Sequence, residues 1–86
     1  MVAPRTRVAV LGGDGRFPCE SLPGCRVRLF PARRYAGNGP LRSLERSLQA
    51  GGVDRVVVLA RWNGHSATTA IMRLCRKLGV PFEVIP

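Results

Sequence analysis

The stretch that most constrains this chain runs from Asp54 to Leu78. An unbroken apolar run, Val56-Val57-Val58-Leu59-Ala60, leads into a polar loop, Arg61-Trp62-Asn63-Gly64-His65-Ser66, and then into a helical pattern. A short run that is apolar at both odd and even positions suits a strand buried on both faces, as in a parallel sheet. In open α/β sheets ligands gather where loops leave the carboxyl ends of such strands. Any site is therefore expected around that loop, which holds the only histidine.

The rest of the chain supplies partners for this unit. Arg7 to Gly12, with Val8-Ala9-Val10-Leu11, is a second doubly buried run, ended by Gly12-Gly13. Residues 13 to 24 carry three glycines and two prolines, which leaves room for one helical turn at most, at Pro18 to Leu22. Cys25 to Phe30 alternates, with Val27 and Leu29 on one face and Arg26 and Arg28 on the other, the pattern of an edge strand with one dry face. Pro31 to Pro40 is a loop, and Asn38-Gly39-Pro40 reads as a helix start with proline at the first helical position. Leu41, Leu44 and Leu48 form one apolar stripe of that helix, Arg42 and Arg46 lie opposite, and Gly51-Gly52 stops it near Ala50. Ala67, Ala70, Ile71, Leu74 and Leu78 form the stripe of the last helix. Arg73, Arg76 and Lys77 stand near its carboxyl end, Gly79 caps it, and Val80 to Ile85 closes the sheet.

The element order is strand, short link, strand, helix, strand, helix, strand. Right-handed crossovers then predict one α/β domain over residues 1–86, with a four-stranded parallel sheet in order 2-1-3-4. This is a Rossmann- or flavodoxin-like half, and both helices fall on one face of it. The other face has only the short link to cover it. An 86-residue chain removes only about 60–65% of its unfolded surface from water, so a second copy is expected on that face, with Arg26 and Arg28 bordering the contact. A different protein partner docking there, or Phe17, Pro18 and Leu22 folding over it, are the alternatives.

Composition narrows the function classes. No apolar run approaches the ~18 residues of a membrane span, and Met1 to Arg5 lacks a signal-peptide layout, which points to a cytoplasmic protein without membrane contact. Cys19, Cys25 and Cys75 are odd in number and lack C-x-x-C spacing, as suits reduced thiols. The net charge is +9, and thirteen of fourteen basic residues are arginine, whose fork matches phosphate oxygens. Polyanions are therefore expected partners, although such a composition also simply solvates a surface.

Several of these residues resemble a known family. The glycine pair Gly12-Gly13 after the first strand, the apolar third strand, Gly64-His65, and Cys75-Arg76-Lys77 before Gly79-Val80-Pro81-Phe82 resemble the small bacterial family catalogued as domain of unknown function 2325. The stretch from His65 to Pro81 carries the most specific part of the likeness. Two departures stand out: the twelve-residue link replaces the full helix usual after the glycine pair, and Gly64 replaces the usual serine. The resemblance implies a compact Rossmann-like fold and supplies no activity.

Two sets of residues are candidates for binding. Gly12 and Gly13 let backbone N–H groups approach a phosphate, although neither G-x-G-x-x-G nor a P-loop is present and a simple sharp turn is the plainer explanation of them. Arg61, Asn63, His65 and Ser66 stand at the amino end of the last helix, where the dipole favours an anion, or where Asn63 or Ser66 caps the first turn. For nucleic acid, Arg26, Arg28, Arg33, Arg34, Arg42 and Arg46 are the candidate phosphate contacts. Tyr35 and Trp62, beside arginines, are candidate stacking partners. His65 and Cys75, ten residues apart on one helix, are ~15 Å apart in rise and do not share an ion. No catalytic, metal or cofactor set emerges.

The combined expectation is a non-enzymatic, homodimeric binding and assembly module that contacts phosphate-bearing ligands, nucleic acid first. A nucleotide or phosphate domain, sensor or enzyme, with its site at the Gly12-Gly13 and Asn63 to Ser66 loops is the alternative. A protein-interaction module is the third.

Overall fold

The strands form where β-branched residues alternate across a pleat: Thr6–Leu11 (β1), Cys25–Phe30 (β2), Arg55–Leu59 (β3) and Phe82–Ile85 (β4). The computed structural model describes residues 6–13, 24–32, 37–60 and 64–85. The expected turn at Pro18 to Leu22, together with Cys19, Arg33, Arg34, Tyr35, Arg61, Trp62 and Asn63, lies outside them. All strand pairs are parallel and the spatial order is β2-β1-β3-β4, as the crossover rule predicts.

Two helices join these strands. Helix α1 is Gly39–Gln49, with Asn38 at its N-cap; it starts one residue before Pro40, where the missing proline N–H costs nothing. Helix α2 is His65–Leu78, and Gly79 ends it in the left-handed conformation at φ 71°, its neighbour Val80 donating its N–H to the Cys75 carbonyl at 2.9 Å. Both pack on one face of the sheet. Leu44 and Leu48 of α1 and Ile71 and Cys75 of α2 meet Ala9, Leu11, Phe30, Val56 and Val58 in one core. Leu44, Val56, Val58, Ile71 and Cys75 are fully buried, and each aliphatic side chain so placed contributes about 1.5–3 kcal/mol. Cys75 thus belongs to the apolar stripe of α2, whereas Ala70 and Leu78, expected in that stripe, are exposed.

Register settles which way the edge strand faces. Val27 pairs with Val8 and Leu29 with Val10, so the dry side of β2 joins Val57 and Leu59 on the face away from the helices. Arg28 pairs with Ala9, whose side chain lies in the helix-side core, and Arg28 itself reaches Ser47 of α1. Arg26 and Arg28 therefore do not border the helix-free face, as expected from sequence; they stand on the helix side. The centre of the helix-free face is also already dry. Val8, Val10 and Val57 are 3%, 1% and 4% exposed in the single chain, and Cys25, Val27, Leu29 and Leu59 around them are partly buried.

Candidate nucleic-acid interface and strand-end cavity

Charges on this fold are sorted between the two sides of the sheet. Arg7 donates from its Nε and Nη2 to both carboxylate oxygens of Asp54 at 3.1 Å, and its backbone N–H donates to Oδ2 at 2.8 Å. Those hydrogen bonds, with the nearby positive charge, hold the Asp54 carboxyl below its ordinary range and push the Arg7 guanidinium higher still. On the helix-free side, Arg55 donates to Glu83 Oε2 at 2.9 Å, linking β3 to β4. Two of the three described carboxylates are thereby engaged.

The basic residues left over lie on the helix side. Arg42 and Arg46 sit on the outer face of α1, Arg73 and Lys77 on that of α2, and all four are exposed. Arg76 stacks over the Phe82 ring at 5.7 Å and Arg28 over Phe30 at 5.0 Å, each keeping its charge toward solvent. Arg28 Nη1 also donates to Ser47 Oγ at 3.4 Å, a long bond that ties the edge strand to α1. Arg26 has no hydrogen-bond or ion-pair partner among the described residues. Asp54 on this side is taken by Arg7, and Glu45 is the one described acid here outside an ion pair. Arg26, Arg28, Arg42 and Arg46, grouped from sequence alone, are thus on one side of the molecule; Arg33 and Arg34 fall outside the described residues.

A recess of about 390 Å³ opens at the β2 edge of this side, lined by Arg7, Ala9, Arg26, Arg28, Gly52 and Val53 among others. Reasoning from sequence missed it, because it depends on Arg7 and Arg26 standing opposite each other in register.

A second cavity of about 390 Å³ occupies the other end of the sheet. Leu11 at the end of β1 and Pro31 just after β2 form one wall, and Asn38 and Leu41 of the α1 start form another. Gly64, His65, Ser66, Ala67 and Ala70 of the α2 start complete it. The amino ends of both helices thus meet at the point where the strand order reverses between β1 and β3. Neither helix has a side-chain cap bond or an acid in its first turn, and the N-cap of α2 is Gly64 rather than Asn63 or Ser66. His65 and Ser66 are exposed at this cavity, as their place in the sequence suggests. Asn38 and Pro31 were legible only as a loop and a helix start; the rule of strand carboxyl ends could have placed them here.

The glycine pair is used differently. Gly12 donates its N–H to the Phe30 carbonyl at 2.9 Å and Gly13 accepts from Ala32 N at 2.9 Å, extending the β1–β2 pairing past the strand ends. With φ of 113° and 73° both positions need glycine, and neither lines the cavity. The Gly12 N–H is therefore committed to the fold rather than to a phosphate. Cys75 is buried, and burial pushes its thiol up, which disfavours the thiolate.

Compared with family models, with curated proteins and with solved structures, the chain has no match. These comparisons show no family for it, and the resemblance to the domain of unknown function 2325 family stays an expectation from the residues quoted for it.

Proposed function

We propose that this domain is a nucleic-acid-binding module whose helix side contacts backbone phosphates. One observation carries this reading. Asp54 and Glu83 are taken by Arg7 and Arg55, which leaves Arg26, Arg28, Arg42, Arg46, Arg73 and Lys77 exposed on a side where Glu45 is the one described acid outside an ion pair. A field of unpaired guanidiniums attracts a polyanion and releases its counterions on contact. No base-reading motif is present in the sequence, so phosphate contact rather than sequence readout accounts for the affinity.

The test is a fluorescence-polarisation titration of labelled single- and double-stranded DNA and RNA at two salt concentrations. The affinity falls steeply with salt, and each lost phosphate contact in Arg42→Ala or Arg46→Ala lowers the salt slope by about one. Arg55→Ala, on the helix-free side, leaves binding unchanged. Absent or salt-insensitive binding overturns the reading.

The strand-end cavity favours a second reading, a small anionic ligand such as a nucleotide held where both helix amino ends converge. Under it, His65→Ala abolishes binding of the small ligand and the Arg42→Ala, Arg46→Ala pair does not.

A further inference from the structure

We propose that the recess at the β2 edge is a seat for a phosphate monoester, such as the 5′-terminal phosphate of a nucleic-acid strand. This rests on the nucleic-acid reading and narrows it to one place and one chemical group. Arg7 and Arg26 stand in direct register on neighbouring strands, and like charges placed opposite each other are unfavourable without an anion between them. Asp54 answers Arg7 alone. Among the recess lining, Arg7, Arg26 and Arg28 therefore leave an excess of two positive charges over that one carboxylate. A phosphodiester carries one negative charge, whereas a monoester carries nearly two at neutral pH, so the terminal group matches the excess.

The geometry favours the same group. Arg28 is held over Phe30 and by Ser47, which fixes its fork in advance, while Arg26 has no described partner to give up. The Gly51 carbonyl, which would repel an anion near the end of α1, accepts from Arg7 Nη2 at 3.0 Å. Ala9, opposite Arg28, and Gly52 keep the space open with the smallest side chains available. The resulting recess of about 390 Å³ has room for a phosphate group.

The experiment compares two single-stranded oligonucleotides of one sequence, labelled at the 3′ end and bearing either a 5′-phosphate or a 5′-hydroxyl, at fixed salt. The phosphorylated strand binds about tenfold tighter, the scale of one added charged hydrogen-bond pair. Arg26→Ala removes that preference while the 5′-hydroxyl strand still binds; the Arg42→Ala, Arg46→Ala double variant weakens both strands and keeps their ratio. Equal binding of the two strands by the wild type overturns the seat and leaves the nucleic-acid reading intact, and so does a preference that survives the loss of both Arg26 and Arg28. If neither strand binds, the nucleic-acid reading fails, and the thermal midpoint in inorganic phosphate decides the recess. A rise in the wild type that Arg26→Ala lacks supports it, and equal behaviour of the two proteins overturns it.

Discussion

Arg7 and Asp54 hold each other through both main chain and side chain. The Asp54 N–H donates to the Arg7 carbonyl at 2.8 Å, and Arg7 returns its own N–H and two guanidinium donors to the carboxylate. The pair fastens the start of β1 to the turn that enters β3, at the point where residues 52 to 54 leave α1. It fixes the register of the two central strands.

Acid should loosen this clasp. The Asp54 carboxyl is held low in the folded chain, chiefly by the hydrogen bonds from Arg7. Its contribution is therefore fully present above the ordinary carboxylate value of about 3.9 and is lost as pH falls through the lowered folded value. Urea denaturation at neutral pH is expected to show a lower midpoint for Asp54→Asn than for the wild type. Below about pH 4 the two midpoints converge. Parallel curves across that range would show that the clasp adds nothing to stability.

The core between the helices and the sheet tolerates little loss. Ile71 is fully buried beside Leu44 and Val56, and Ile71→Ala is expected to cost about 2–5 kcal/mol. A chain of this length holds about 4–13 kcal/mol in total, so the variant sits at or near the edge of unfolding. Circular dichroism in increasing urea measures the shift.

Gly79 ends α2 at φ 71°, a conformation that opposes a Cβ even though none of the surrounding atoms crowds it. Gly79→Ala is accordingly expected to destabilise by about 1–2 kcal/mol through backbone strain alone. A thermal melt reads the difference.

The thiols should separate by reactivity. Cys75 is fully buried and its thiolate disfavoured, whereas Cys25 is half-buried. Alkylation followed by peptide mass spectrometry is expected to modify Cys25 in the folded protein and Cys75 only under denaturing conditions. Rapid modification of Cys75 without denaturant would mean that α2 opens locally.

Much of this architecture is legible in the sequence. The apolar runs at Val8 to Leu11 and Val56 to Leu59, the leucine stripe of α1, and the glycine stops at Gly51 and Gly79 each rest on local chemistry that tertiary contacts did not override. The edge strand shows where such reading stops. Alternation separated Val27 and Leu29 from Arg26 and Arg28, yet a period of two does not say which face meets the helices; only pairing with Val8 and Ala9 does. Of the candidate site, His65 and Ser66 followed from their place after a buried strand. Asn38 joined them, and Arg7 joined Arg26, only through contacts distant in sequence.

Parallel strands give the sheet two unlike rims. The arginine recess lies at the rim where β1 and β2 begin, and the cavity beside His65 lies where they end, some four residues and about 13 Å of strand away. The strand residues between them, Val8 to Leu11, are all buried. A close-packed interior of this kind gives a ligand on one rim little to displace at the other, and two ligands are expected to titrate as independent, additive events. Were both proposed sites occupied, a strand end at one pole and a small anion at the other would each bind with an affinity blind to its neighbour.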